Sequence, residues 1–98
     1  MTGSPMNKQS DDERIRLSSQ VRHRAVGEDG VLVHLANGRV LVVNEVGLHI
    51  VEQLRDPRTR QELAASIADA FEVSPDQAEA DLETYLAELD AEQVLERL

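Results

Sequence analysis

Residues 40–54, VLVVNEVGLHIVEQL, contain the point at which the chain changes from strand to helix. Val40–Val43 form a short apolar run that is typical of a strand. After it, the spacing i, i+3, i+4, i+7 predicts a helix with one apolar stripe, made of Gly47, Ile50, Val51 and Leu54. Asn44 stands between the two patterns, and asparagine is a preferred helix N-cap because its side-chain oxygen accepts a backbone N–H. The segment therefore predicts a strand-to-helix junction at Asn44.

A β-hairpin is predicted just before this junction. Asn37-Gly38 separates two apolar runs, Val31–Ala36 and Arg39–Val43, and Asn-Gly suits the positive φ angles of a two-residue type I′ turn. Such a loop places Leu35 opposite Val40 and fixes which side chains share a face. We expect the apolar face to pack on the helices: Val31, Val33, Leu35, Val40 and Val42. We expect the mixed face to meet solvent or the N-terminal segment: Leu32, His34, Arg39 and Leu41.

Two further helices follow, each with a recognisable start. Thr59 and Glu62 form a T-x-x-E capping box, and Ser74-Pro75 with Gln77 forms an S-x-x-Q box. The first helix should end near Arg55, because Pro57 disfavours helical geometry at the residue before it. With a weaker strand between residues 15 and 26, the order is three strands followed by three helices. This order predicts an α+β, winged-helix-like fold with a three-stranded antiparallel sheet.

Length and charge limit the possible functions. The chain has 98 residues and no cysteine, so we expect one domain over 15–98, a disordered tail over 1–14, and no disulfide or thiolate site. No apolar run is long enough for a membrane span and no signal peptide is apparent, which favours a cytoplasmic protein. Residues 1–60 carry nine Lys/Arg and eight Asp/Glu, whereas residues 61–98 carry one and eleven. The acidic C-terminal helices should repel nucleic acid.

No pattern in the sequence indicates catalysis. The histidines at positions 23, 34 and 49 lack the helical i, i+4 spacing of metal ligands, so each is interpreted as a surface or sheet residue. Ser66 and Ser74 are not in a nucleophile-elbow motif, and Ser74 is explained as a helix cap. We therefore expect no enzyme, no metal and no cofactor.

Several short motifs together resemble a known family. They are Val43-Asn-Glu-Val-Gly47 after the hairpin, Ile50 and Leu54 in the next helix, Thr59, Val73-Ser-Pro75, and Asp81-Leu82 with Tyr85, Leu86 and Leu89. In this order and spacing, the chain resembles the PqqD-like proteins, also described as RiPP recognition elements. The resemblance implies a sheet whose third strand has an open edge. It also implies that a precursor's leader peptide adds to this edge, in a groove beside the third helix.

The resemblance implies two partners and a set of site residues. The partners are the precursor (leader) peptide and a separate modifying enzyme, such as a radical enzyme, a protease or a cyclase. The peptide-binding residues carried over by position are Arg39, Val40, Leu41, Val42 and Val43 on the strand, and Gln77, Ala78, Asp81, Leu82 and Tyr85 on the helix. Leu41 and Val43 would give apolar contact, and Asp81 and Gln77 polar anchors. The charge of the helix, not the resemblance, further suggests a leader with at least one Lys or Arg.

Other interpretations of the same features stay open at this point. Tyr85 can be a core residue, the acidic helix flank can serve solubility, and Arg39 can simply protect an edge strand. The alternative function is a winged-helix transcription regulator that binds DNA, although the third helix contains no basic residue. A structural subunit that docks a protein partner is a third. The chain is expected to be a monomer or a weak homodimer, since an open edge can pair with its own copy.

Overall fold

The strand-to-helix junction lies at Asn44, as the sequence predicts. A computed structural model describes residues 13–98. Its elements are β1 (Arg14–Leu17), β2 (Val21–Val26), β3 (Asp29–His34), β4 (Val40–Val43), α1 (Glu45–Gln53), β5 (Arg58–Thr59), α2 (Arg60–Phe71), α3 (Pro75–Ala91) and β6 (Leu95–Arg97). The antiparallel sheet β2-β3-β4 and the three helices confirm the predicted α+β fold.

A second small sheet, in the order β5-β1-β6, was not predicted. Its strands are only two to four residues long, too short to show a period of two in the sequence. Across the β1–β6 pair, Arg16 donates to the Glu96 carboxylate at 3.0 Å and lowers the pKa of that carboxyl. This sheet ties the N-terminal strand to the C-terminus and to the start of α2.

The predicted tail comprises residues 1–14. Residues 1–12 of this range lie outside the described residues. The last two residues of that range belong to the folded part. Glu13 forms ion pairs with Arg60 at 3.4 Å and Arg97 at 3.6 Å, and Arg14 begins β1.

The helix starts follow the predicted caps, with one difference. The Asn44 side chain accepts the Gly47 N–H at 3.0 Å, and both halves of the Thr59–Glu62 capping box are present. Ser74 accepts the Gln77 N–H at 3.1 Å, but the Gln77 side chain donates to Asp81 at 2.8 Å. The second capping box is therefore only half formed, because Gln77 is hydrogen-bonded one turn further along α3.

The hairpin is present, but its predicted register is wrong by two residues. Val33 lies opposite Val40, where Leu35 was expected. The loop has four residues, 35–38, because Gly38 (φ 73°) donates to the His34 carbonyl and Asn37 accepts the Arg39 N–H through its side chain. An asparagine side chain that bonds its own backbone two residues on forms an Asx turn, which replaces the two-residue type I′ turn.

The prediction of the buried sheet face is also wrong, and for a separate reason. The apolar face is the outer one: Val40 is 63% and Val42 66% exposed, while Leu32 on the mixed face is 1% exposed. The β2–β3 pairing places Arg22 opposite Val33 and Arg24 opposite Val31, so burying the valine face would also bury two guanidinium groups. The helices cover the other face, where Leu32, His34 and Val43 are buried.

Two glycines allow α1 to approach that inner face closely. A Cβ at Gly30 of β3 would lie 2.8 Å from Leu48 Cδ1. A Cβ at Gly47 of α1 would lie 2.7 Å from Val43 Cβ. The predicted stripes of the helices meet the sheet in one aliphatic core, which includes Ile50, Val51, Leu54, Leu63, Ile67, Leu82, Leu86 and Leu89.

Candidate functional site: the groove between β4 and α3

The free edge of β4 forms one side of a groove. In the sheet order β2-β3-β4, this strand pairs with β3 on one side only within residues 13–98. The His34 N–H donates to the Arg39 carbonyl, so the hydrogen-bonded pairs of the β3–β4 ladder are 34/39, 32/41 and 30/43. The N–H and C=O groups of Val40 and Val42 therefore point away from β3. They are available to an added strand.

Helix α3 forms the opposite wall. Val42, Val43 and Asn44 line the groove on the strand side, and Asp81, Thr84, Tyr85 and Glu88 line it on the helix side. The helix residues are spaced i, i+3, i+4 and i+7, which places them along one face of α3. The wall is therefore acidic at two points, with a half-buried aromatic ring between them.

Tyr85 lies against the strand-to-helix junction. A Cβ at Gly47 would come within 3.3 Å of the Tyr85 ring, so the ring occupies the space that the glycine leaves open. The ring is only partly buried, in contrast to Leu82 and Leu86 on the neighbouring face of α3. It thus offers an apolar surface next to the inner face of the β4 edge.

An ion pair crosses one end of the groove. Arg39, just before β4, contacts Glu92 at the C-cap of α3 through two bonds, Nε–Oε1 at 2.8 Å and Nη2–Oε2 at 3.1 Å. A bidentate guanidinium–carboxylate pair has a defined geometry, unlike a single-point surface contact. The pair holds the start of the edge strand against the end of the helix wall.

The predicted site residues fall into three groups. Val42, Val43, Asp81 and Tyr85 line the groove, with Val40, Leu41 and Arg39 continuing its strand side. Gln77 is exposed and bonded to Asp81. Ala78 and Leu82 are 0% and 1% exposed, so they belong to the core behind the wall and have no surface for a ligand.

The sequence analysis missed Asn44, Thr84 and Glu88 as groove residues. The helical period could have found the last two. One face of α3 that contains Asp81 and Tyr85 also contains residues 84 and 88, whereas Leu82 is turned about 100° away from Asp81.

Two of the three histidines, His34 and His49, have structural contacts. The Ala36 backbone N–H can only donate, so His34 accepts it at Nδ1 (3.3 Å) and donates from Nε2 to the Gln93 carbonyl (3.1 Å). His49 contacts Ser66 at 2.7 Å and the Phe71 ring edge-on. Across residues 13–98, no three His, Cys, Asp or Glu side chains come together as a metal site.

A comparison with protein families gives a match over residues 29–95 to the family described as coenzyme PQQ synthesis protein D (PqqD). The match covers β3, β4, all three helices and the start of β6. The chain belongs to the PqqD family. The groove lies entirely within the part that matches this family.

Two solved structures are similar to this PqqD-family chain over most of its length. One is TbiB1 in complex with the TbiA(beta) leader peptide, at 26% identity and a TM-score of 0.74, covering 83% of this chain and 94% of that one. The other is the PqqD truncation of Methylobacterium extorquens PqqCD, described as a stand-alone RiPP recognition element. It has 25% identity and a TM-score of 0.69, covering 85% of this chain and 88% of that one. A comparison with curated proteins gives no match.

One further observation concerns the helices of this PqqD-family chain. Within residues 13–98, none of them combines the length and the apolar character needed to cross a bilayer.

Proposed function

We propose that the protein binds the leader segment of a ribosomally made precursor peptide and presents it to a separate modifying enzyme. The observation that carries the proposal is the free edge of β4 beside α3, in a chain of the PqqD family. The complex of the similar protein TbiB1 with a leader peptide supports the same ligand class. The proposed role is recognition without catalysis.

The physical basis of binding is strand addition. The backbone groups of Val40 and Val42 point outward and give an extended peptide four hydrogen-bonding groups without any side-chain requirement. Selectivity must then come from side chains near the edge. An antiparallel leader strand would direct every second side chain toward α3, against Asp81, Tyr85 and Glu88.

The modifying enzyme completes the proposed function. We propose a radical enzyme, a protease or a cyclase in this role. The leader is made on ribosomes, so binding in the cytoplasm is part of the proposal. The free chain would be a monomer or a weak homodimer, since the open β4 edge can pair with the same edge of a second copy. Such pairing would compete with the leader for the same backbone groups.

Val42→Pro tests whether the leader pairs with the β4 edge. Proline removes the outward N–H of Val42 and leaves the ladder to β3 intact, as is tolerated on an edge strand. Calorimetric titration with the leader of a precursor encoded beside the gene should show at least about tenfold weaker binding, the order of a lost interface hydrogen bond plus a poorer strand fit.

The matched control is Val42→Ala, which removes the exposed side chain and keeps the N–H. We expect its affinity for the leader to stay within about threefold of the wild-type value, since the side chain lies on the outer face. Equal leader affinity of a folded Val42→Pro variant and the wild type would contradict binding at this edge.

A further inference from the structure

We propose that the groove selects leaders with the pattern basic–x–apolar–x–basic in the strand that pairs with β4. The inference rests on the proposed function, and it names the class of leader that this chain accepts. Asp81 and Glu88 would each receive a Lys or Arg, and the Tyr85 ring would receive the apolar side chain between them.

The first step concerns which leader positions face α3. Directly opposite residues of an antiparallel pair share a face, and the outward hydrogen-bonding residues Val40 and Val42 have outer-face side chains. Leader residues opposite Val43 and Leu41 therefore point toward α3, as does the next alternate residue beyond Val43. These alternate positions alone can contact the helix wall.

The second step matches these positions to the wall. Val43 lies beside Gly47 and the Tyr85 ring, and Arg39 contacts Glu92, so α3 runs antiparallel to β4. Asp81 and Glu88 are seven residues apart, a rise of about 10.5 Å, with Tyr85 between them. Two leader residues four apart span about 13 Å. Flexible Lys or Arg side chains bridge the difference.

The third step concerns charge. None of the ion pairs among residues 13–98 includes Asp81 or Glu88. In the same helix, Glu83 pairs with Arg60 and Asp90 with Arg97. The two carboxylates that line the groove thus have no arginine partner within the described residues, although Asp81 accepts a neutral hydrogen bond from Gln77. Cationic leader side chains would supply them.

The Arg39–Glu92 pair limits where the pattern can lie. Glu92 is the next groove-side carboxylate along the wall, and its charge is already matched by Arg39. A third basic leader residue would have to displace a bidentate pair. The preferred pattern therefore contains two basic positions and not three.

A display selection tests the pattern without knowledge of the native leader. A library of random 12-residue peptides is selected against the wild-type protein, and recovered sequences are counter-screened on Val42→Pro to keep those that need the β4 edge. We expect enrichment of Lys or Arg at two positions four apart, with an apolar residue midway. Their affinity should fall about 2- to 30-fold on the double variant D81N/E88Q, the range for two exposed ion pairs.

The matched variant is the charge reversal D81K/E88K, which should select Asp or Glu at the same two positions. Circular dichroism first establishes that both double variants are folded. Edge-dependent peptides without paired basic residues, or with unchanged affinity for D81N/E88Q, would overturn the pattern and leave leader binding in place. A selection that recovers no edge-dependent peptide would overturn the proposed function as well.

Discussion

Gly47 determines how closely α1, β4 and Tyr85 can pack. The Cβ of any other residue would lie 2.7 Å from Val43 Cβ and 3.3 Å from the Tyr85 ring. The Val43 Cβ is attached to the backbone of the edge strand and cannot rotate away. A residue that is unfavourable inside a helix is therefore required here by its contacts with the sheet.

Gly47→Ala should lower the free energy of unfolding, although alanine favours helix by about 1 kcal/mol. Overpacking costs about 1–3 kcal/mol, and a rigid 2.7 Å contact favours the upper part of that range, above the helix gain; the Tyr85 ring should also shift. Urea denaturation measures the effect, and Glu52→Ala, at an exposed position of the same helix, is the control. A Gly47→Ala protein that is more stable than wild type would contradict the close packing.

The roles of single residues could be predicted from the sequence where they depend on neighbouring residues in the chain. The caps at Asn44, Thr59 and Ser74 form because each side chain reaches the backbone N–H three residues away. Gln77 was misassigned because its second possible partner, Asp81, lies one helical turn further on. Ala78 and Leu82 were assigned to the groove because the helix was considered as one flank and not as separate faces.

Among the elements, the sheet β2-β3-β4 shows that the number of apolar side chains on a face does not determine which face is buried. The valine-rich face has more apolar side chains, yet it is the exposed one. The choice depends on β2, whose arginines join the valine face, and on Gly30, which admits Leu48 on the other face. Neither contact can be found from the two strands of the hairpin alone. The sheet β5-β1-β6 was missed for a related reason, since its pairings join distant parts of the chain.

The inverted sheet faces give a direct stability prediction. Leu32→Ala should cost about 2–5 kcal/mol, because the side chain is 1% exposed and its removal leaves a cavity. Val40→Thr, at 63% exposure, should change the stability by no more than about 0.5 kcal/mol. Urea denaturation of both variants distinguishes the two faces. A larger loss for Val40→Thr than for Leu32→Ala would mean that the valine face is the packed one.

For the whole molecule, the charge distribution distinguishes leader-peptide binding from DNA binding. Helix α3 has six Asp/Glu and no Lys or Arg, and it forms the wall of the groove. A helix that reads DNA needs hydrogen-bond donors for phosphates and base edges. The acidic side chains of α3 would instead repel the phosphates of both DNA strands. The same charge suits a basic peptide.

The fold class was predictable from the order of strands and helices. The groove could not be predicted in the same way, because it depends on the strand register and on the packing of elements that are distant in the sequence.

Pairing of a leader peptide with Val40 and Val42 can be tested by amide hydrogen exchange at those two residues. In the free protein, the amides of Leu41 and Val43 are bonded to β3 while those of Val40 and Val42 point outward. With saturating leader peptide, we expect much slower exchange at Val40 and Val42 and little change at Leu41 and Val43. Leader binding without added protection at Val40 and Val42 would contradict this pairing.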